Sequence, residues 1–170
     1  MTQWRMIERG VADTLGEGTL TIELGGVPLV SIVNRAAKWS TTVVPLGETL
    51  YFTCTVENVG TVPVRTKGPP PGTVYTTSEN FNSKSLTLGK ELGDDFYEEP
   101  GIFRVGVDFE GNSSGRPYPF RWQLGKDEEL TLIDGERYLM PGQTVAVYGG
   151  VTIVDKMTTI APYFWLGLLH

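Results

Sequence analysis

The chain has 170 residues, the size of one domain, and its 40% hydrophobic and 20% charged residues are those of a folded protein, not a disordered one. Twenty acidic side chains against fourteen basic ones leave a net charge of −6, which opposes binding to a phosphate backbone and excludes nucleic acid as a partner. The single histidine is the last residue, His170, and the single cysteine is Cys54, so a Ser-His-Asp or Cys-His couple would have to recruit the terminus and no Cys/His zinc cluster can be assembled.

The 21 glycines and 11 prolines are spread along the chain without a Gly-X-Y period, as turns between many short strands require. Residues 18–24 (GTLTIEL) alternate polar and apolar, Gly25-Gly26 turns the chain, and 28–33 (PLVSIV) answers as the second strand of a hairpin. A helical turn is expected at 35–40 (RAAKWS), a short strand at 41–45 (TTVVP) and a turn at Leu46-Gly47-Glu48. The clearest strand is 49–58 (TLYFTCTVEN), whose period of two puts Leu50, Phe52, Cys54 and Val56 on the core face. Asn58-Val59-Gly60 ends it, and 61–65 (TVPVR) follows as an edge strand because Pro63 lacks a ladder donor.

The rhythm then breaks. Residues 66–100 hold the Gly68-Pro69-Pro70-Pro71-Gly72 block, the polar run 76–85 and the acidic run 94–99. They read as a surface excursion containing short strands at 72–77 and 85–88. Regularity returns at 102–109 (IFRVGVDF), with Phe103, Val105, Val107 and Phe109 opposite Arg104, Gly106 and Asp108. After the loop 110–116, residues 118–124 (YPFRWQL) set Tyr118, Phe120, Trp122 and Leu124 against Pro119, Arg121 and Gln123, completing a hairpin. Strands at 128–133, 137–140, 144–154 and 160–169 follow, separated by the Asp134-Gly135 and Pro141-Gly142 turns; Gly149-Gly150 suggests a bulge, and the last strand is apolar on both faces. The expected fold is all-β: a single antiparallel immunoglobulin-like β-sandwich domain over residues 1–170, with an N-terminal strand extension (1–26) and the 66–100 excursion.

Two stretches carry a family resemblance. Gly47-Glu48-Thr49-Leu50-Tyr51-Phe52 running on to Val56-Glu57-Asn58-Val59-Gly60-Thr61, and later Leu139-Met140-Pro141-Gly142-Gln143-Thr144, resemble the strand and turn motifs of bacterial CARDB-like (cell-adhesion-related) domains over residues 29–64 and 139–169. The resemblance implies an accessory module of bacterial surface or secreted proteins, used as a spacer or in adhesion, with no catalytic residues to carry over. No membrane-spanning stretch is present, and residues 1–10 have no signal-peptide layout, so the chain is read as intracellular or as a piece of an exported protein.

Candidate site residues lie in the irregular segments. Tyr75, Phe81, Phe96 and Tyr97, with Tyr118 at a hairpin end, supply flat faces for a sugar or a partner, and Glu79, Asn80, Asn82 and Arg116 supply hydrogen bonds; the competing reading is that these rings tether the long loop to the sandwich. Asp94, Asp95, Glu98 and Glu99 lack EF-hand spacing and read as a solvated acidic loop. Trp122 and Trp165 are expected in the core, and Cys54 is read as an inward-facing small hydrophobe, not a nucleophile. Asn112-Ser113-Ser114 matches the N-glycosylation pattern. The leading expectation is a non-enzymatic binding or assembly module without metal or cofactor. Its partner is a protein or a second copy, with residues 18–24 as an open edge for strand addition. A carbohydrate-binding module using the loop aromatics is the alternative, and an enzyme working through carboxylates or tyrosine is the third reading.

Overall fold

A computed structural model describes residues 3–4, 27–89, 100–154 and 164–169. The expected strand at 18–24, the acidic run 94–99 and the start of the last strand lie outside them. The architecture is all-β. One sheet has the order β1 (Gln3–Trp4), β11 (Phe164–Leu169), β6 (Arg104–Phe109), β7 (Phe120–Gln123). The second has the order β2 (Val30–Trp39), β3 (Thr49–Asn58), β10 (Thr144–Thr152), β5 (Val74–Thr76). A small third sheet, β4 (Val64–Arg65), β9 (Glu136–Leu139), β8 (Thr131–Ile133), completes the set. Every pairing is antiparallel except β5 with β10.

The two four-stranded sheets pack face to face. Phe52, Cys54 and Val56 of β3 and Val145 and Val147 of β10 meet Val105 and Val107 of β6, Phe120 and Trp122 of β7, and Leu166 and Leu168 of β11 in one core. The alternation expected of 49–58 is present residue for residue, with Leu50, Phe52, Cys54 and Val56 buried and Tyr51 half exposed. At the centre, the Trp122 ring stands edge-on to Phe52 (4.7 Å between centroids) and to Tyr75 (5.0 Å). Its Nε1–H donates to the Thr73 carbonyl at 3.0 Å, so the indole's one polar atom is satisfied in the core.

Gly149-Gly150 is not a bulge. β10 and β3 pair without a break from Thr144↔Glu57 to Thr152↔Thr49. The glycines are needed for close approach instead: a Cβ on Gly149 would overlap the Trp122 indole, and one on Gly150 would sit 2.9 Å from Tyr51 Cδ1. The register shift is in β2, between Ile32 and Ala37, where Asn34 takes φ 57°, a left-handed conformation that asparagine tolerates. Residues 35–39 therefore run on as strand where a helical turn was expected at 35–40, and pairing of 37–39 with β3 satisfies their backbone. Residues 41–45 are not a strand: Thr41 Oγ1 accepts from Val43 N–H (3.2 Å) as the chain leaves the sheet.

The 66–89 part of the expected excursion is a strap bound to both sheets. Thr66 Oγ1 donates to the Phe103 carbonyl (2.7 Å) and accepts from Leu124 N–H (2.8 Å). The Pro69 carbonyl accepts from Gln123 N–H on β7 (2.9 Å), and Gly72 N–H donates to the Tyr148 carbonyl on β10 (2.8 Å). Residues 85–88, expected as strand, belong mostly to a helix, α1 (Phe81–Thr87). Asn80 Oδ1 accepts from Ser83 N–H (3.0 Å) while Ser83 Oγ accepts from Asn80 N–H (2.9 Å), a reciprocal cap that starts the helix. The strap places Phe81 over the outer face of β6 and β7, where the Arg104 guanidinium stacks on it at 4.6 Å. Arg104, Gly106 and Asp108, the face of β6 opposite the inter-sheet core, are buried as well, Arg104 against Phe81, Gly106 beneath Tyr118 and Leu169, and Asp108 within the loop that follows β6.

The two stretches behind the family resemblance interlock. Asn58 Nδ2 donates to the Val62 and Leu139 carbonyls (both 2.9 Å), and its Oδ1 accepts from Gly60 N–H (2.9 Å). Gly142 N–H donates to the Asn58 carbonyl (2.8 Å) and Asn58 N–H to that of Gln143 (3.0 Å). Replacing Asn58 with Ala is expected to cost about 1–3 kcal/mol through the buried groups it leaves unsatisfied. Gly149→Ala should cost about 1–3 kcal/mol by forcing Trp122 outward. Both are read as a lowered urea midpoint at unchanged slope, and a Gly149→Ala protein as stable as the parent would show that the indole has room to move.

Candidate functional site

Three of the aromatic residues expected to face a ligand are buried. Tyr75 is fully buried, with its hydroxyl donating to the Arg121 carbonyl (2.6 Å) and its ring 5.3 Å from Phe120. Phe81 is fully buried beneath Arg104. Tyr118 is buried at φ 51°; its N–H donates to Asp108 Oδ2 (3.0 Å), and its Cβ covers Gly106 on the outer face of β6, away from the inter-sheet core where alternation had put it. These rings anchor the strap and the hairpin to the sandwich and form no exposed row. Asn80 is the helix cap, Asn82 is half-buried on α1, and Glu79 accepts from Thr76 N–H (2.7 Å) and pairs with Lys84 (3.3 Å). Phe96 and Tyr97 lie outside the described residues, as do Asp94, Asp95, Glu98, Glu99, His170 and the side chain of Trp165.

Arg116 is exposed on the loop between β6 and β7, beside an open depression of about 320 Å³ lined also by Asp108, Phe109, Asn112 and Pro117. The polar atoms of this depression bond one another. Asp108 accepts from Phe109 N–H, Asn112 Nδ2 and Tyr118 N–H at 2.9–3.0 Å. Asn112 Nδ2 also donates to the Arg116 carbonyl (2.9 Å), and its Oδ1 accepts from Ser114 N–H and Oγ. The amide nitrogen that a glycan would occupy in the Asn112-Ser113-Ser114 pattern thus holds the loop together. Among the described residues, no three His, Cys, Asp or Glu side chains group to hold a metal ion.

A different surface stands out. β8 is the last strand of its sheet, and its three residues are all exposed, Leu132 at 62% and Ile133 at 39%. Asp134 (φ 50°) and Gly135 (φ 82°) form a two-residue turn with both φ positive, which fixes the register Ile133↔Glu136, Leu132↔Arg137, Thr131↔Tyr138. The base of the hairpin is held firmly. Gln123 Nε2 donates to Asp127 Oδ1 (2.6 Å), Gln143 Nε2 donates to the Glu129 carbonyl (2.6 Å), and Arg137 lies 3.6 Å from Asp127. Lys126 Nζ lies 6.0 Å from the centre of the Tyr148 ring, and the interaction with Tyr148, followed by the Coulombic pull of Glu128 and Glu129, holds it protonated to higher pH than usual. The sequence reading placed a hairpin here and assigned it no role; the available clue was two adjacent apolar residues, Leu132 and Ile133, in a short strand among carboxylates.

Cys54 is buried between the sheets, and desolvation pushes its thiol up to about 12. It is therefore a poor nucleophile at neutral pH. Because the neutral thiol is favoured in the folded state, the associated stability is full below about pH 9 and is lost as pH rises toward about 12. An aromatic disulfide reagent should leave the native thiol unmodified at pH 7 and label it fully in urea. Cys54→Ala should remove this part of the alkaline loss of stability, and rapid native labelling at pH 7 would contradict the burial.

No helix among the described residues is long and apolar enough to cross a membrane. Comparisons with family models, with curated proteins and with solved structures find no match to this chain.

Proposed function

We propose that the chain is a non-enzymatic, immunoglobulin-like β-sandwich module that binds a protein partner at the free edge of the β8–β9 hairpin. The observation that carries this reading is Leu132, a large apolar side chain exposed on an edge strand that has β9 on one side and no other strand beside it among the described residues, and whose base is fixed by hydrogen bonds. Exposed backbone donors and acceptors on such an edge are a template for a further strand, and the rigid base lowers the ordering cost of binding. The non-enzymatic part of the reading is supported by the saturated Asp108 carboxylate and the buried Cys54 thiol, which leave two chemically apt groups engaged or inaccessible. The likeness of residues 29–64 and 139–169 to CARDB-like domains supports a place in a bacterial surface or secreted protein. Glycan binding through the loop aromatics loses the contribution of Tyr75, Phe81 and Tyr118, which are buried.

Panning a random peptide display library against the purified chain tests this reading. Enriched peptides should bind the parent chain at least tenfold more tightly than its Leu132→Asp variant, while a glycan array stays silent. Peptides indifferent to Leu132→Asp, or ligands found only among glycans, would overturn it.

A further inference from the structure

We infer that the segment received by this hairpin is an extended, basic stretch of another protein, added as a strand alongside Leu132; this rests on the docking reading above. The backbone geometry makes Leu132 the receiving residue. In a two-residue hairpin the closing pair, Ile133 and Glu136, exchanges both ladder bonds, and pairs then alternate. Leu132↔Arg137 is accordingly the non-bonded pair, and the Leu132 N–H and C=O point away from β9 toward the free edge. One partner residue opposite Leu132 can satisfy both groups while its own side chain packs beside Leu132 and that of a neighbour beside Ile133 on the other face.

Charge selects the partner. Between Lys126 and Arg137 the sequence carries five carboxylates, Asp127, Glu128, Glu129, Asp134 and Glu136, against two cations. Arg137 is already paired with Asp127 at 3.6 Å, and Lys126 lies beside the Tyr148 ring, so the surplus of carboxylates remains. Glu128, Glu129 and Asp134 are exposed at the two ends of β8, so a strand laid along it passes carboxylates on both sides of its apolar contact. A second copy of this chain would bring the same five carboxylates against these five, within the distance over which charges act in physiological salt. Lysine or arginine flanking a β-branched residue is the complementary pattern.

The test uses the full ¹⁵N-labelled chain and three ten-residue peptides: lysine alternating with valine and threonine, its glutamate counterpart, and a lysine-rich peptide with proline at every second position. The alternating basic peptide should shift the Leu132 amide and its neighbours, binding at least tenfold more tightly than the acidic one. That preference should collapse as salt is raised from about 0.05 M to about 0.5 M. Leu132→Pro removes an edge-facing donor without touching the β9 ladder, and should abolish the shifts. The Glu128→Lys/Glu136→Lys variant should favour the acidic peptide, which decides the matter if the proline variant disturbs the hairpin. Equal affinity for both alternating peptides would overturn the charge selection and leave docking at Leu132 intact. Equal binding of the proline-containing peptide would overturn strand addition. If the display peptides bind at Leu132 and none of these three does, this inference fails alone; if neither set binds there, both readings fall.

Discussion

The contact between the Trp122 indole and the backbone at Gly149 sets the spacing of the whole sandwich. The ring belongs to one sheet and rests on a strand of the other, which is possible only because position 149 has no side chain. Phe52 and Tyr75 close on the same ring from two sides, and each such aromatic pair adds about 0.5–1.5 kcal/mol beyond the area it buries. The indole N–H reaches the Thr73 carbonyl in the strap. One side chain therefore fixes two sheets and the segment that closes their edge, so the strap is part of the packing and not an attachment to it.

The strap explains why this molecule carries buried charge outside its main core. By laying Phe81 across β6 and β7 it covers Arg104 and Arg121, whose burial is offset by ring contact with Phe81 and by hydrogen bonds from Arg104 Nε and from Arg121 to backbone carbonyls. Arg104 Nε donates to Lys67 O, and Arg121 donates to Tyr118 O and Pro117 O, all at 2.8 Å. The same segment gives the β7 edge a partner in Pro69 and pairs β5 beside β10. Both edges are thus blunted by local chain, in the way folded sheets avoid unwanted pairing. β8 is treated differently: its residues are exposed on a hairpin whose base is held by Gln123 and Gln143. This partly apolar edge, with no further strand beside it among the described residues, is the feature on which the proposed binding role rests.

Among the described residues, three groups that could carry chemistry are engaged or buried: Asp108 organises its loop through three donors, Asn112 bridges that loop, and Cys54 is desolvated. What faces water on the small third sheet is a strand edge, two aliphatic side chains and a surplus of carboxylates. Such a surface gains affinity from backbone pairing and partner choice from charge, and it needs no cavity.

The sequence by itself determined the local features: the two-residue period of β3 with Leu50, Phe52, Cys54 and Val56 inward, the turns at Gly47, Asp134-Gly135 and Pro141-Gly142, and the acidic character of the β8–β9 hairpin. These were legible because alternation and positive-φ turns depend only on neighbouring residues. Only the assembled fold shows that residues 81–87 form a capped helix, that β2 and not β10 carries the irregular register, that Tyr75, Phe81 and Tyr118 are anchors, and that β8 is an exposed edge strand of its sheet. Each of these depends on which distant segment arrives: Trp122 over Gly149, Phe81 over Arg104, Pro69 beside Gln123. Periodicity records which way a side chain points, and carries no information about whether water or another part of the chain lies there.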